Sequence, residues 1–283
     1  MLKLDEKKIR KGKPIGLPYQ GSKKKISKKI IEIIKQNFGT DKPIYDIFGG
    51  GGAITAECVL NGLEVYYNDL DKDITDMFQR VISQDREWIK TLIVSRDEFL
   101  RIKGKMNKTV DDNLKLLVNS FGNNKRTYLY SVEWSDTKYN LAVEIISEHD
   151  VFSGYKQTET WLNQYRELEQ LQRLEQLQQL GQLQQLQQLE QTNLSYEAFN
   201  NIEDAIFYLD PPYENTTHKA YKGDFDSQTF YDWAFEMAKK NIVLISSYEI
   251  SDDRFKCVYE FEKARSTIQS GTAWKTEKLF MAV

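Results

Sequence analysis

Cysteine and histidine are nearly absent: Cys58 and Cys257, His149 and His218 are the only ones in 283 residues. Two distant thiols cannot form a disulfide framework, and with two histidines they do not make a zinc set. No apolar run approaches the roughly 18 residues that cross a bilayer, and the N-terminus has no apolar signal region. These absences predict a soluble, cytoplasmic protein that uses neither membrane nor metal. Proline is scarce too, with five in all, so the adjacent pair Pro211-Pro212 stands out.

Aromatic residues are plentiful, with 16 Tyr, 14 Phe and 5 Trp. A chain of this length can therefore fill one large α/β domain with an insertion, or two modest domains. The net charge of −3 argues against a protein that coats nucleic acid, but charge is unevenly spread. Residues 1 to 35 hold twelve Lys or Arg against Asp5, Glu6 and Glu32. That excess could attract a phosphate backbone, or it could be a solvated tail and helix face.

The proline pair ends the run Ile206-Phe207-Tyr208-Leu209-Asp210-Pro211-Pro212-Tyr213. Four apolar residues predict a buried strand, and two residues that cannot donate to a sheet ladder force the chain out of it at Asp210. Asp210 and Tyr213 thus fall at the carboxyl edge of a strand, where open α/β sheets bind ligands. The Asp210 carboxylate and a rigid Pro211 carbonyl make two acceptors suited to a planar amine, and Tyr213 can stack on its ring. Base stacking of that kind contributes about 1 to 3 kcal/mol.

Upstream, Pro43 to Phe48 reads as a strand, Gly49 to Gly52 as a loop, and Ala53 to Leu60 as a helix closed by Asn61-Gly62. This layout lets a ligand approach bare backbone at a helix N-terminus. The next strand, Leu63 to Asn68, runs into Asp69, an acid placed to accept from ribose hydroxyls. A dinucleotide fingerprint G-x-G-x-x-G fails in both frames, because its third glycine would fall on Thr55 or Ile54. The loop therefore suits a nucleoside cofactor without a pyrophosphate, such as S-adenosylmethionine.

Near the N-terminus, Tyr19-Gln20-Gly21-Ser22-Lys23 leads into a helix predicted over about 23 to 37, with Ser22 as a cap. Lys23 opposes the helix dipole there and is a candidate for meeting an anion. Residues 70 to 160 are mostly helical in pattern and include Phe121-Gly122-Asn123-Asn124-Lys125-Arg126-Thr127-Tyr128. That stretch reads either as a loop or hairpin touching base edges and phosphates, or as a plain Gly-Asn turn.

Leucine then recurs at every third position from Leu168 to Leu189, with Gln between. A period of three drifts about 60° per step around a helix, so these leucines predict no coiled-coil seam. A helix-forming low-complexity expansion is the reading adopted, with a partner-binding arm as the alternative. Beyond it, Asn193 or Ser195 could touch a cofactor base. A polar loop from Glu214 to Asp226, with His218, could close over substrate.

Taken in order, Tyr19-Gln-Gly-Ser-Lys23, Asp46-Ile-Phe-Gly-Gly-Gly-Gly52, Asp69 and Asp210-Pro-Pro-Tyr213 resemble the Dam-type (D12 class) DNA adenine-N6 methyltransferases. The resemblance implies a Rossmann-like, S-adenosylmethionine-dependent methyltransferase sheet with an inserted, mostly helical target-recognition region. It implies Asp210, Pro211 and Tyr213 as catalytic, and Tyr19, Lys23, Asp46, Phe48, Gly49, Gly51, Asp69 and Asp210 as cofactor-binding. Lys23 would meet the cofactor carboxylate. Asn123, Asn124, Lys125, Arg126 and Tyr128 would contact duplex DNA. The expected organisation is a catalytic domain of residues 1–70 and 190–283, a recognition insert of 71–160, and the Leu/Gln helical segment of 161–189. A monomer is expected, and a companion restriction endonuclease is compatible with this family.

Two rival classes remain at this stage. RNA or protein-glutamine methyltransferases usually carry Asn where this chain has Asp210. A scaffold built on the leucine repeat would have no use for Lys23, the glycine loop and Asp69.

Overall fold

The computed structural model describes residues 1–18, 21–152, 172–187, 189–214, 225–262 and 276–283. Tyr19 and most of the 214–226 loop, His218 included, lie outside them. The chain divides into two units, one of Met1–Pro14, Lys23–Thr75 and Leu189–Val283, the other of Ile15–Ser22 and Asp76–Gln188.

The first unit is built on β1 (Ile44–Asp46), β2 (Val65–Asn68), β3 (Gln191–Thr192), β4 (Ile206–Leu209), β5 (Ile242–Ser247), β6 (Phe255–Glu260) and β7 (Lys278–Ala282). They form one sheet in the order β3-β2-β1-β4-β5-β7-β6. The first five are parallel, and β7 runs antiparallel to both β5 and β6. This is a Rossmann-like, doubly wound α/β sheet whose order reverses between β1 and β4. All four residues of β4 are buried because both faces of the sheet are covered.

Alternation along β4 decides which face each side chain serves. Ile206 and Tyr208 join the cluster of α1 (Ser27–Phe38) and α2 (Ala53–Leu60), with Ile30, Ile34, Ile54 and Cys58. Phe207 and Leu209 join the opposite cluster, with Phe230, Ala234 and Met237 of the last helix, Ser227–Ala238. Each face buries an apolar stripe, at about 1.5 to 3 kcal/mol per large side chain.

The N-terminal helix differs from expectation. Lys23–Lys25 form a 3-10 turn, and α1 starts at Ser27 with Ile26 in the cap position and no side-chain cap. Three consecutive cations oppose the dipole of a helix start. Part of the basic segment finds folded partners: Arg10 clasps the buried Glu57 through Nε at 2.8 Å and Nη2 at 2.9 Å, and Lys29 reaches Glu6 at 2.6 Å.

The second unit is helical: the remainder of α3 (Lys72–Ile82), then α4 (Arg86–Lys90), α5 (Arg96–Lys103), α6 (Val110–Val118), α7 (Val132–Glu148) and α8 (Gln172–Leu183). Phe78, Val81, Ile82, Ile89 and Leu92 are all fully buried and Ile93 is buried, while Trp88 is half-buried. Buried Asn119 ties the layers together, donating to the Leu92 carbonyl at 2.8 Å and accepting from the Val94 amide at 3.2 Å.

The described part of the leucine repeat, from residue 172 on, is helical as expected but enclosed by its neighbours, and Leu168 and Leu171 lie outside the described residues. Leu174, Leu177, Leu180 and Leu183 of α8, and Leu186 after it, are each 2% exposed or less. Leucines that wind around a helix cannot serve one interface, but they suit a helix enclosed on several sides. Here α8 packs against α4 and α6, and Gly181 leaves room for the Phe152 ring, which a Cβ would approach to 2.7 Å.

Candidate active site

The carboxyl edge of the sheet gathers the residues that end β1, β2 and β4. Asp46 pairs in register with Tyr67 on one side and Tyr208 on the other. The Ile47 amide donates to the Tyr208 carbonyl at 3.4 Å, so the glycine loop leaves β1 directly beside the segment that leads to Asp210. A crevice at the point where strand order reverses is where such sheets bind ligands.

The loop is shaped by contacts that only glycine permits. At Gly49 a Cβ would lie 2.3 Å from the Tyr67 ring, and Gly50 and Gly52 have φ of 48° and 70°. The Tyr67 hydroxyl donates to the Gly50 carbonyl at 2.8 Å, and the Gly49 amide to the Asn68 carbonyl at 2.8 Å. Asp69 Oδ2 accepts from the Gly50 amide and Oδ1 from the Asp71 amide, both at 2.8 Å. Burial nevertheless pushes the Asp69 carboxyl up to about 6. Phe48 packs edge-on to Phe230 in the apolar cluster below.

Asp46 is 1% exposed. Its Oδ2 accepts from the Thr55 amide at 3.1 Å and hydroxyl at 2.6 Å, while Oδ1 has no hydrogen-bond partner among the described residues. Burial is the main reason its carboxyl is pushed up to about 7.

Asp210 sits in a cluster of four. Lys23 Nζ lies 2.7 Å from Asp210 Oδ2 and donates to the Tyr213 hydroxyl at 2.6 Å. That hydroxyl faces Asp210 Oδ1 at 3.0 Å and Glu277 Oε1 at 2.5 Å. Burial raises the Asp210 carboxyl, the Lys23 charge opposes it, and Glu277 adds to the rise, leaving it at about 6. Burial works against the Lys23 ammonium, but Asp210 and Glu277 outweigh it and hold its pKa above the ordinary lysine value. Burial and the two carboxylates together push the Tyr213 phenol well up, so it keeps its proton. The Tyr213 ring meets Tyr248 edge to face at 4.7 Å. Both line a cavity of about 390 Å³ with Ser247, Ile250, Thr276 and Lys278, a size suited to a small ligand.

Residues 19–279 match the family of D12 class N6 adenine-specific DNA methyltransferases. The chain belongs to that family. It is a DNA methyltransferase acting on adenine N6, and membership implies S-adenosylmethionine as donor and DNA as substrate. No curated protein matches the methyltransferase in sequence. Among solved structures, the rRNA methyltransferase AviRa from Streptomyces viridochromogenes is similar at 10% identity, over 90% of this chain and 84% of its own, with a TM-score of 0.39.

The expected site residues of the methyltransferase thus fall into three groups. Asp46, Phe48, Gly49, Gly51, Asp69, Asp210, Pro211 and Tyr213 lie at or next to the carboxyl ends of β1, β2 and β4. Lys23 comes to the Asp210 carboxylate, so the anion that its position called for is supplied by the protein itself. Asn193 supports the edge, donating to the Asp69 carbonyl at 2.8 Å and to the Thr75 hydroxyl at 2.7 Å.

The third group is the 121–128 loop of the second unit. It closes through a Ser120–Tyr128 bridge, with Gly122, Asn123 and Lys125 at positive φ. Asn124 Oδ1 accepts from the Arg126 and Thr127 amides at 2.7 and 3.0 Å, and Asn123 donates to the Leu117 carbonyl at 3.0 Å, so both asparagines shape the loop. Arg126 and Thr127 are exposed. Tyr128 corrects the expectation of a DNA contact: it is 5% exposed, packed on Phe99 and bonded through its hydroxyl to the Val94 carbonyl at 3.1 Å. Its ring also takes the fully buried Arg173 guanidinium at 4.9 Å.

Sequence reasoning did not single out Glu277, Ser246 or Tyr248. Glu277 precedes a strand, as Asp210 follows one. Its only signal was an acid beside the last apolar run, and that becomes meaningful once β7 is known to be antiparallel.

Proposed function

We propose that this methyltransferase holds a flipped adenine of duplex DNA at Asp210-Pro211-Pro212-Tyr213, and S-adenosylmethionine along Gly49–Gly52, Asp46 and Asp69. The observation that carries the proposal is the adjacency of the glycine loop and Asp210 across the strand-order reversal. The donor set fits the cofactor. Gly49 and its neighbours leave backbone bare, Asp46 Oδ1 is a buried acceptor of the kind an ammonium satisfies, and each Asp69 oxygen keeps a lone pair for a ribose hydroxyl. Lys23 uses two of its three N–H groups on Asp210 and Tyr213, which leaves one for a carboxylate.

When bound, the cofactor supplies an electrophilic methyl group for the N6 lone pair. The protein's own part is electrostatic and positional. Extruding the base costs a few kcal/mol, offset in part by stacking on Tyr213. Asp210 and the Pro211 carbonyl accept the two N6 hydrogens, drawing the nitrogen toward tetrahedral geometry and freeing its lone pair from the ring. The same acceptors stabilise the positive charge that develops on nitrogen, an interaction stronger in the transition state than in the ground state. The Lys23 ammonium 2.7 Å from Oδ2 favours the ionised form of Asp210 against the cost of burial, and the ionised form is the one able to accept.

Asp210→Ala is expected to reduce transfer of labelled methyl groups to DNA to background while keeping the parental far-UV circular dichroism. Transfer at the parental rate would overturn the assignment.

A further inference from the structure

Tyr213 carries one phenolic proton and faces two carboxylates. Its hydroxyl lies 3.0 Å from Asp210 Oδ1 and 2.5 Å from Glu277 Oε1, and it already accepts from Lys23 at 2.6 Å. The proton can be given to one carboxylate at a time. If it goes to Asp210, both oxygens of that carboxylate are engaged, because Oδ2 holds Lys23 at 2.7 Å. The oxygen that should receive the substrate amine would then already spend one lone pair on the phenol and be a weaker acceptor for that amine.

Glu277 is held where it can take that proton. Its strand β7 runs antiparallel, with Lys278 opposite Ser247, so the chain enters the sheet at the carboxyl edge, where the parallel strands leave it. The Glu277 carbonyl accepts from the Phe261 amide at 2.9 Å, which fixes its backbone. Its Oε1 also accepts from the Ser246 hydroxyl at 2.7 Å, which fixes the carboxylate. At 3.9 Å from Lys23 Nζ it adds a second negative charge beside one ammonium.

We infer that Glu277 is a positioning residue for methyl transfer: it accepts the Tyr213 hydroxyl proton and so keeps Asp210 Oδ1 an undivided acceptor for the N6 amine. It touches neither substrate nor cofactor. The inference rests on the reading of Asp210 as the acceptor of that amine.

A purely structural role and this role diverge when the phenolic proton is removed. Glu277→Ala should let Tyr213 donate to Asp210 and should lower kcat at least tenfold, with KM for DNA changed less than threefold. Adding Tyr213→Phe to Glu277→Ala keeps the ring and deletes the competing proton, so the double variant should run at least threefold faster than Glu277→Ala alone. Glu277→Gln keeps the shape and a weaker acceptor; with it the same rescue is expected, and it serves if Glu277→Ala melts below the assay temperature. Single-turnover methyl transfer to duplex DNA by the full chain, with melting curves for each variant, reads these effects. A Glu277→Ala rate within twofold of the parent, or a double variant less than threefold faster than the single, would overturn the role of Glu277. Asp210→Ala assayed alongside separates the two proposals, since its activity tests the acceptor assignment whatever Glu277 does.

Discussion

Asp46 and Asp210 show how one residue type is tuned to two tasks within a few residues of sheet edge. Asp210 has an ammonium 2.7 Å away that works against the cost of burial, so its carboxyl is raised only to about 6. Among the described residues Asp46 has only Thr55 as donor, and burial pushes it up to about 7. A carboxyl whose folded-state pKa lies above its unfolded value stabilises the fold most below the unfolded value, and that contribution is lost as pH rises through the folded one. Asp46→Asn removes the titration. The ligand-free variant should match the parent in stability near pH 4 and exceed it at pH 8, by on the order of 2 kcal/mol. Denaturant melts that show a pH-independent difference between pH 5 and 8 would refute this account.

At the scale of elements, the glycine loop and α8 illustrate local sequence serving tertiary contact in opposite ways. The loop needs an absence of side chain: Gly49→Ala puts a carbon 2.3 Å from the Tyr67 ring and breaks the bond from Tyr67 to Gly50. That variant is expected to lose about 1 to 3 kcal/mol in urea unfolding, with weaker S-adenosylmethionine binding by calorimetry. Helix α8 needs side chains all round. Leu177→Ala should destabilise the protein by about 2 to 5 kcal/mol, since its side chain is fully buried, whereas an inert expansion would tolerate it. A loss under 1 kcal/mol would restore the low-complexity reading. Two elements of the first unit were legible beforehand: β4 falls where its four-residue apolar run puts it, and α2 between the glycine loop and Asn61-Gly62. The helix at Lys23 was not, because a cap signal at Ser22 competes with three like charges that local pattern does not weigh.

For the molecule as a whole, a net charge of −3 and a DNA substrate are reconciled by distribution. Three of the twelve cations of residues 1 to 35, Arg10, Lys29 and Lys35, are paired with Glu57, Glu6 and Glu32, while the 121–128 loop presents Arg126 unburied. Arg126→Ala should weaken DNA binding similarly across sequences and reduce the salt slope of log K by about one, as a phosphate contact does. A loss confined to one sequence, measured by anisotropy at several salt concentrations, would instead mark Arg126 as a reader of bases.

What the chain's linear order determined by itself was a pair of strand ends. Asp210 stops an apolar run at two prolines that forbid its continuation, and Asp69 follows the run Leu63 to Asn68, so the place of both at the sheet's carboxyl edge was legible, whereas Asp46 read as the middle of a strand running on to Phe48. Only the tertiary structure decided who meets whom there. Glu277 lies 67 positions after Asp210 and comes to the same edge because β7 enters the sheet from the other direction. Tyr128 likewise shares its stretch with exposed polar neighbours, yet it is drawn into the core by Phe99 and Arg173. Neither outcome is a property of local spacing: strand direction and burial are settled by contacts between segments far apart in the chain.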